Sequence, residues 1–86
     1  YCCLLKNKFV VLIDNFAICN NNNYIIGRKF ENVCNFFNKP CQSSRLNIYS
    51  VNTLGSISFW LVNDIINKLV IFPNNNNFIV FPLLHV

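Results

Sequence analysis

The chain of 86 residues is poor in the residues on which most enzyme active sites depend. It has three acidic residues, one histidine, two glycines, one alanine and no methionine. No P-loop, GxGxxG, GxSxG or HExxH motif is present. We therefore expect no catalytic residue, no metal site and no bound cofactor in this stretch. His85, the one histidine, is the penultimate residue, where fraying would defeat precise catalytic geometry.

Charge is also scarce, and it is spread thinly. Seven basic residues give a net charge of +4, yet the longest basic run is the pair Arg28-Lys29. Because nucleic-acid-binding surfaces cluster their positive charge, this pattern does not favour a nucleic-acid partner. The charge-free windows 46–63 and 69–86 are interrupted by asparagine, serine, glycine or Pro73, so neither resembles a membrane-spanning helix, and a membrane partner is not favoured either.

The five cysteines form no CxxC pair and are odd in number. Cys2 and Cys3 are adjacent, so on a strand they would point to opposite faces and could not act together as a pair. This favours free thiols that behave as small hydrophobic side chains. Free thiols are typical of reducing compartments, and no signal peptide is visible, so we expect an intracellular, cytoplasmic chain.

What the sequence has in excess is asparagine and apolar residues. Asn, Ile, Phe, Lys and Tyr account for 44 of the 86 residues, and their codons are A/T-rich, so part of the skew reflects nucleotide bias. The length fits one small domain, residues 1–86, or a fragment of a larger domain. The first residue is Tyr1, which leads us to expect a fragment, a processed chain or an open-ended reading frame.

Two runs of four asparagines, at 20–23 and 74–77, each lie between short apolar runs. Asparagine tolerates positive φ and bonds to its own backbone, so such runs are typical of turns. The first run predicts a hairpin that pairs 16–19 with 24–27. The second predicts a turn before a strand at 78–81. The fold class we expect is therefore β-rich, with β-hairpins and Asn-rich turns.

A small α+β domain, with helices near 29–38 and 57–70, is the alternative. The first helix is indicated by apolar residues at i, i+3, i+4 and i+7, namely Phe30, Val33, Cys34 and Phe37. The second is indicated by apolar pairs separated by polar pairs. Against it, Ile, Val, Phe, Trp and Asn are indifferent helix formers. Two strands, Ile57–Val62 and Leu69–Phe72, fit the same stretch, and the sequence leaves both interpretations open.

The two asparagine runs are 54 residues apart and have similar flanks, which suggests an internal repeat. In both copies an apolar run precedes the asparagines, and an aromatic and two β-branched residues follow. This resembles the kelch repeat of β-propellers, over residues 16–62 with a partial second unit at 69–81. The resemblance implies that Tyr24–Gly27 is a first strand, that Tyr49 is a later strand aromatic and that Trp60 closes the repeat.

The resemblance has departures. Arg28 stands where the kelch pattern has a second glycine, and the second copy has Phe81-Pro82 in place of glycines. If the resemblance holds, the chain forms part of a β-propeller-like blade, and one blade cannot close a ring. Its open strand edges would then need the rest of the parent chain.

Function follows from the excess of apolar side chains over the few charges that could shield them. We expect a non-catalytic protein-interaction or structural module, whose partner is another protein or the remainder of the parent chain. The candidate contact residues are Phe36, Phe37, Phe59 and Trp60. The alternative is an α+β fragment of an enzyme whose catalytic residues lie outside this stretch.

Overall fold

In the computed structural model, residues 1–83 are described, and they form six β-strands. Two single 3₁₀ turns, Ser43–Leu46 and Val62–Asp64, precede the fourth and fifth strands. The strands are β1 (Cys2–Leu5), β2 (Val10–Cys19), β3 (Asn22–Asn35), β4 (Tyr49–Leu61), β5 (Ile65–Asn74) and β6 (Asn77–Pro82). The β-rich prediction is confirmed.

The strands close into an antiparallel barrel. Their hydrogen-bonded order is β1, β2, β3, β4, β6, β5, and β5 pairs again with β1. Because β6 lies between β4 and β5, the chain leaves β4, crosses to β5 and then fills the gap with the β5–β6 hairpin. The kelch resemblance implied a blade; here Tyr49 and Trp60 both lie on β4 of a six-stranded closed sheet. That resemblance stays a prediction.

Both asparagine runs form tight turns, which confirms the hairpin predicted at the first run and the turn predicted at the second. Asn20 and Asn21 form the β2–β3 turn with φ values of 50° and 65°. In the β5–β6 hairpin, Asn74 pairs with Asn77, and Asn75 has a φ of 55°. These left-handed angles strain most residues, but asparagine adopts them readily, so its position in the sequence determines where the strands reverse.

The helix predicted near 29–38 is wrong. Its first part belongs to β3, where Phe30 is buried, Val33 is half-buried and Cys34 is exposed. The helical spacing is thus a coincidence of composition, because the apolar residues do not share one buried face. The β-branched, aromatic and asparagine residues gain little from a helix, whereas β3 pairs with β4 along most of its length.

The helix predicted over 57–70 is also wrong, and so is the α+β alternative. The stretch divides into the end of β4, the 3₁₀ turn Val62–Asp64 and the start of β5. The two-strand interpretation of this stretch describes the structure, with Asn63-Asp64 inside the turn rather than on the polar face of a helix. Pairing with β3 and β1 stabilises two strands here, which periodicity within one segment does not reveal.

The core lies on both faces of β1, all four residues of which are buried. Cys2 and Leu4 point into the barrel, and Cys3 and Leu5 point into a second cluster. The other buried members of the first cluster are Val10, Phe30, Tyr49, Val51, Leu69 and Val80. The second cluster adds Val11 and Ile25, with half-buried Trp60 packed against it. The expectation that Cys2 and Cys3 face opposite ways is confirmed.

Two bulges shape the long strands. In β2 the pairing with β3 shifts at Asp14, and in β4 residues Gly55 and Ser56 together lie opposite Lys29. Bulges bend a strand and increase its twist. Beyond them, the distal halves of β2, β3 and β4 continue as a three-stranded sheet, because β1 pairs only with residues 10–12 of β2 and β6 only with the start of β4.

Asparagine side chains also cross-link the sheet. Asn32 on β3 donates to Asn52 on β4, and Asn52 Nδ2 donates to Asn77 Oδ1 on β6 at 2.8 Å. These two hydrogen bonds join the side-chain amides of three asparagines that lie side by side on β3, β4 and β6. Asparagine therefore serves the fold twice, in its turns and in this ladder.

Candidate functional site

The structure distributes the four predicted contact residues over three different surfaces. Phe36 and Phe37 follow the end of β3, with ring centroids 6.3 Å apart. Phe59 and Trp60 are neighbours on β4 and point to opposite faces of the sheet, because successive side chains on a strand alternate. The four residues therefore do not form one site.

Phe59 is the centre of an exposed apolar face on the three-stranded sheet. Paired residues in an antiparallel sheet share a face, so Phe59 lies beside Ile26, and Leu61 lies beside Tyr24 and Ala17. We call this surface the distal apolar face. It is formed by Ala17, Tyr24, Ile26, Ile57, Phe59 and Leu61.

The geometry of the distal apolar face is that of a shallow groove. The ring of Phe59 stands edge-on to that of Tyr24, with centroids 5.7 Å apart and planes at 84°. Phe59 nevertheless remains 66% exposed and Ile57 59% exposed. The groove along Ala17, Tyr24, Ile26, Ile57 and Phe59 has a volume of about 510 Å³. Exposed apolar patches occur at interaction sites, in ligand-binding grooves and on aggregation-prone surfaces.

Trp60 belongs mainly to the core. It pairs with Ile25, which is fully buried, and it packs against the second cluster. Its outer edge lines a small polar pocket of about 290 Å³ that also contains Glu31. In that pocket Lys29 Nζ lies 4.3 Å from the ring centroid of Phe9, which is a cation–π contact. The ammonium group of Lys29 is thus engaged with the ring of Phe9.

Phe36 and Phe37 are held by a buried serine. Ser43 Oγ accepts hydrogen bonds from the backbone N–H of Phe36 at 2.8 Å and of Phe37 at 3.3 Å, and donates to the Ile48 carbonyl at 2.8 Å. The side chain of Ser43 is fully buried. Through these bonds it fixes the loop so that Phe36 lines a second apolar groove, together with Phe81 and others.

The cysteines provide no reactive centre within the cores. Burial raises the pKa of the Cys2 thiol to about 12 and that of Cys3 to about 11. Since the thiolate is the reactive form, both groups are inert at neutral pH. All five cysteines lie in the described part of the chain and are free. Among residues 1–83, no group of three or more His, Cys, Asp or Glu side chains could hold a metal ion; His85 lies outside the described residues.

Phe59 was a candidate contact residue from the sequence, whereas its neighbours on the distal apolar face were not. Ile57 and Leu61 stand two residues either side of it, which is the spacing of side chains on one face of a strand. This alternation is visible in the sequence, but the apolar and polar pairs over 57–70 also fit a helix, in which these residues would not share a face. Tyr24 and Ile26 could be assigned to the face only once the register between β3 and β4 was known.

The fold defines this molecule as a small antiparallel β-barrel whose β2, β3 and β4 extend beyond the closed part. The chain belongs to the family described as domain of unknown function DUF8592, whose model matches residues 1–83. Neither the curated proteins nor the solved structures contain a match to it. In the portion described here, no helix has the length and apolar character needed to cross a membrane.

Proposed function

We propose that this chain is a non-catalytic protein-interaction or structural module that binds through the distal apolar face. Its partner is another protein or the remainder of its parent chain. The observation that carries the proposal is the position of Phe59, a large aromatic side chain that stays mostly exposed at the centre of an apolar groove. Aromatic side chains in such positions are the usual anchors of protein interfaces.

The chemistry of the surface supports a protein partner. The side chains of the distal apolar face are aliphatic or aromatic, with Tyr24 as the one that carries a hydroxyl, and the exposed Arg28 borders the face beside Ile57. A complementary surface would therefore be apolar, with its affinity drawn from burial of Phe59 and Ile57. The ring of Phe59 is already oriented by Tyr24, so little side-chain entropy is lost on binding.

The cysteines support an intracellular, cytoplasmic location as part of the same proposal. Cys19 and Cys34 are exposed and free, and the buried pair Cys2 and Cys3 serves as apolar packing. Exposed free thiols are compatible with a reducing compartment, where disulfides rarely persist.

Site-specific photo-crosslinking in cells that make the chain tests the interaction. A photo-reactive phenylalanine analogue replaces Phe59 in one version and the exposed turn residue Asn76 in a control version. We expect a crosslinked protein at position 59 and none at 76. Excess wild-type chain should compete for it, whereas chain carrying Phe59→Lys should not. Equal crosslinking at both positions, or none at either, would contradict the proposal.

A further inference from the structure

The outer edge of β4 is an open strand edge. Its first residues, Tyr49–Val51, pair with β6, but none of the strands in residues 1–83 pairs with residues 52–61 on the side away from β3. The backbone groups that point outward along this edge are free to pair with another strand.

The other open edges of this sheet carry features that block pairing, whereas on β4 such features, Thr53 with its φ of 60° and the bulge at Gly55 and Ser56, end before residue 57. Beyond its pairing with β1, β2 has Asp14 and a bulge, and β5 has Pro73. The open end of β3 begins at Glu31. Charges, prolines and bulges protect natural edge strands from unwanted pairing. Residues 57–61 contain no charge, no proline and no bulge, so this part of the edge is left competent to accept a strand.

The edge is also complementary to itself. A two-fold axis perpendicular to the sheet pairs each residue with a residue of the same face on the second copy. With the axis at Phe59, each Phe59 lies opposite its own copy, and Ile57 lies opposite Leu61 of the second chain. This register buries all three apolar side chains of the edge on one face. Moving the axis by one residue, from Phe59 to Ser58, would place Leu61 opposite Gly55. The side chain of Leu61 would then be left uncovered.

We propose that a second copy of this chain pairs antiparallel with β4 along residues 57–61, with Phe59 on the two-fold axis. The inference rests on the proposed function, because it names a partner for the distal apolar face. Pairing joins two three-stranded sheets into one sheet of six strands and makes the two apolar faces continuous.

The area available sets the strength of this dimer. Ile57, Phe59 and Leu61 are 59%, 66% and 39% exposed. At about 200 Å² for a fully exposed large side chain, they offer roughly 330 Å² of apolar surface per copy. A stable interface buries about 800 Å² per partner, so strand pairing with this apolar area gives a weak, concentration-dependent dimer.

Sedimentation velocity of the purified chain over a concentration series, in reducing buffer, tests the pairing. We expect a monomer–dimer equilibrium for the wild type. Phe59→Lys should weaken dimerisation at least tenfold, because two like charges would meet on the axis. Ile57→Lys provides a second variant within the edge. Ile18→Lys is the matched control, since Ile18 is even more exposed, at 79%, but lies on β2.

A mixing experiment tests the register. Phe59→Lys and Phe59→Glu chains should each be monomeric, and an equimolar mixture should recover the dimer, because opposite charges then meet on the axis. Circular dichroism of each variant checks that it is folded. A wild type that stays monomeric at the highest concentration, assemblies larger than a dimer, an equal effect of Ile18→Lys, or a mixture that stays monomeric would each overturn the proposal.

Failure of this inference is distinguishable from failure of the proposed function. If the wild type is monomeric while position 59 crosslinks to a different protein, the interaction module stands and self-pairing is wrong. If neither a dimer nor a crosslink at position 59 is found, both proposals are wrong.

Discussion

Gly27 on β3 lies so close to the Leu12 carbonyl oxygen on β2 that a Cβ atom at position 27 would overlap it. The contact is between two backbones, so no side-chain rotation can relieve it. It occurs next to the bulge at Asp14, where β2 bends and leaves the closed part of the barrel. The glycine is therefore needed for the approach of these strands rather than for an unusual φ, since neither glycine of the described residues has a positive φ.

The first prediction compares the two glycines. Gly27→Ala should lower the free energy of unfolding by about 1–3 kcal/mol, because β2 and β3 must separate to admit the methyl group. At Gly55 a Cβ would meet mainly the Glu31 carboxylate, which is flexible and can move away. Gly55→Ala should therefore change stability by less than about 1 kcal/mol. Urea unfolding followed by tryptophan fluorescence measures both, and equal losses would contradict the interpretation.

The second prediction concerns the buried hydroxyl of Ser43. Ser43→Ala leaves the N–H groups of Phe36 and Phe37 and the Ile48 carbonyl without their partner. Because unsatisfied buried polar groups are costly, we expect a loss of about 2–4 kcal/mol. In the neighbouring Ser44→Ala control, the observed hydrogen bond is made by the backbone N–H and is retained, so the change should stay within about 0.5 kcal/mol.

Hydrogen exchange locates that effect. In Ser43→Ala, the amides of Phe36 and Phe37 should exchange faster than in the wild type, while amides of β1 change only as much as global stability does. If the protection of the two phenylalanine amides is unchanged, Ser43 does not hold this loop.

The third prediction concerns the turn between β2 and β3. Asn21 has a φ of 65°, whereas Asn22 already lies in β3. Asn21→Ala should cost about 1 kcal/mol, because alanine is strained in the left-handed region, and Asn21→Gly should cost nothing or stabilise. Asn22→Ala serves as the control and should be close to neutral. Thermal unfolding of the three variants measures the order, and a similar loss for both alanine variants would contradict a specific role of the turn.

The fourth prediction concerns stability at alkaline pH. The pKa values of Cys2 and Cys3 are raised from 9.0 to about 12 and about 11 by burial. Above pH 9 the unfolded thiols lose their protons while the folded ones keep them, so the free energy of unfolding should fall as pH rises. Between pH 8 and pH 10 each thiol should contribute a decrease of about 1 kcal/mol.

Urea unfolding at both pH values, with a reductant present, measures this slope. The matched variant is Cys2→Ala with Cys3→Ala. This variant should be less stable at both pH values, because it opens cavities in both clusters. Its free energy of unfolding should, however, fall less between pH 8 and pH 10, because the contribution of the two thiols is removed. An identical slope in the variant would show that other groups cause the pH dependence.

Much of the local structure could be predicted from the sequence. Both asparagine turns, the strands on either side of the first and the strand after the second were predicted, because asparagine at positive φ reverses a chain within four residues. The opposite orientation of Cys2 and Cys3 also followed from strand geometry alone. The choice between helix and strands at 57–70 could not be made, because both patterns satisfy local periodicity and only pairing with β3 and β1 distinguishes them.

The candidate site was likewise predictable from the sequence only in part. The sequence by itself determined that apolar side chains exceed what ten charged residues can shield, and it indicated Phe59 and Trp60 as candidates. Only the tertiary structure showed which of the two is exposed. Alternation along β4 turns Trp60 toward the second cluster and Phe59 toward solvent, and the register with β3 brings Tyr24 beside it. Composition and local sequence determine turns and strand propensity, but register and closure depend on contacts between distant segments, and those contacts place the exposed face.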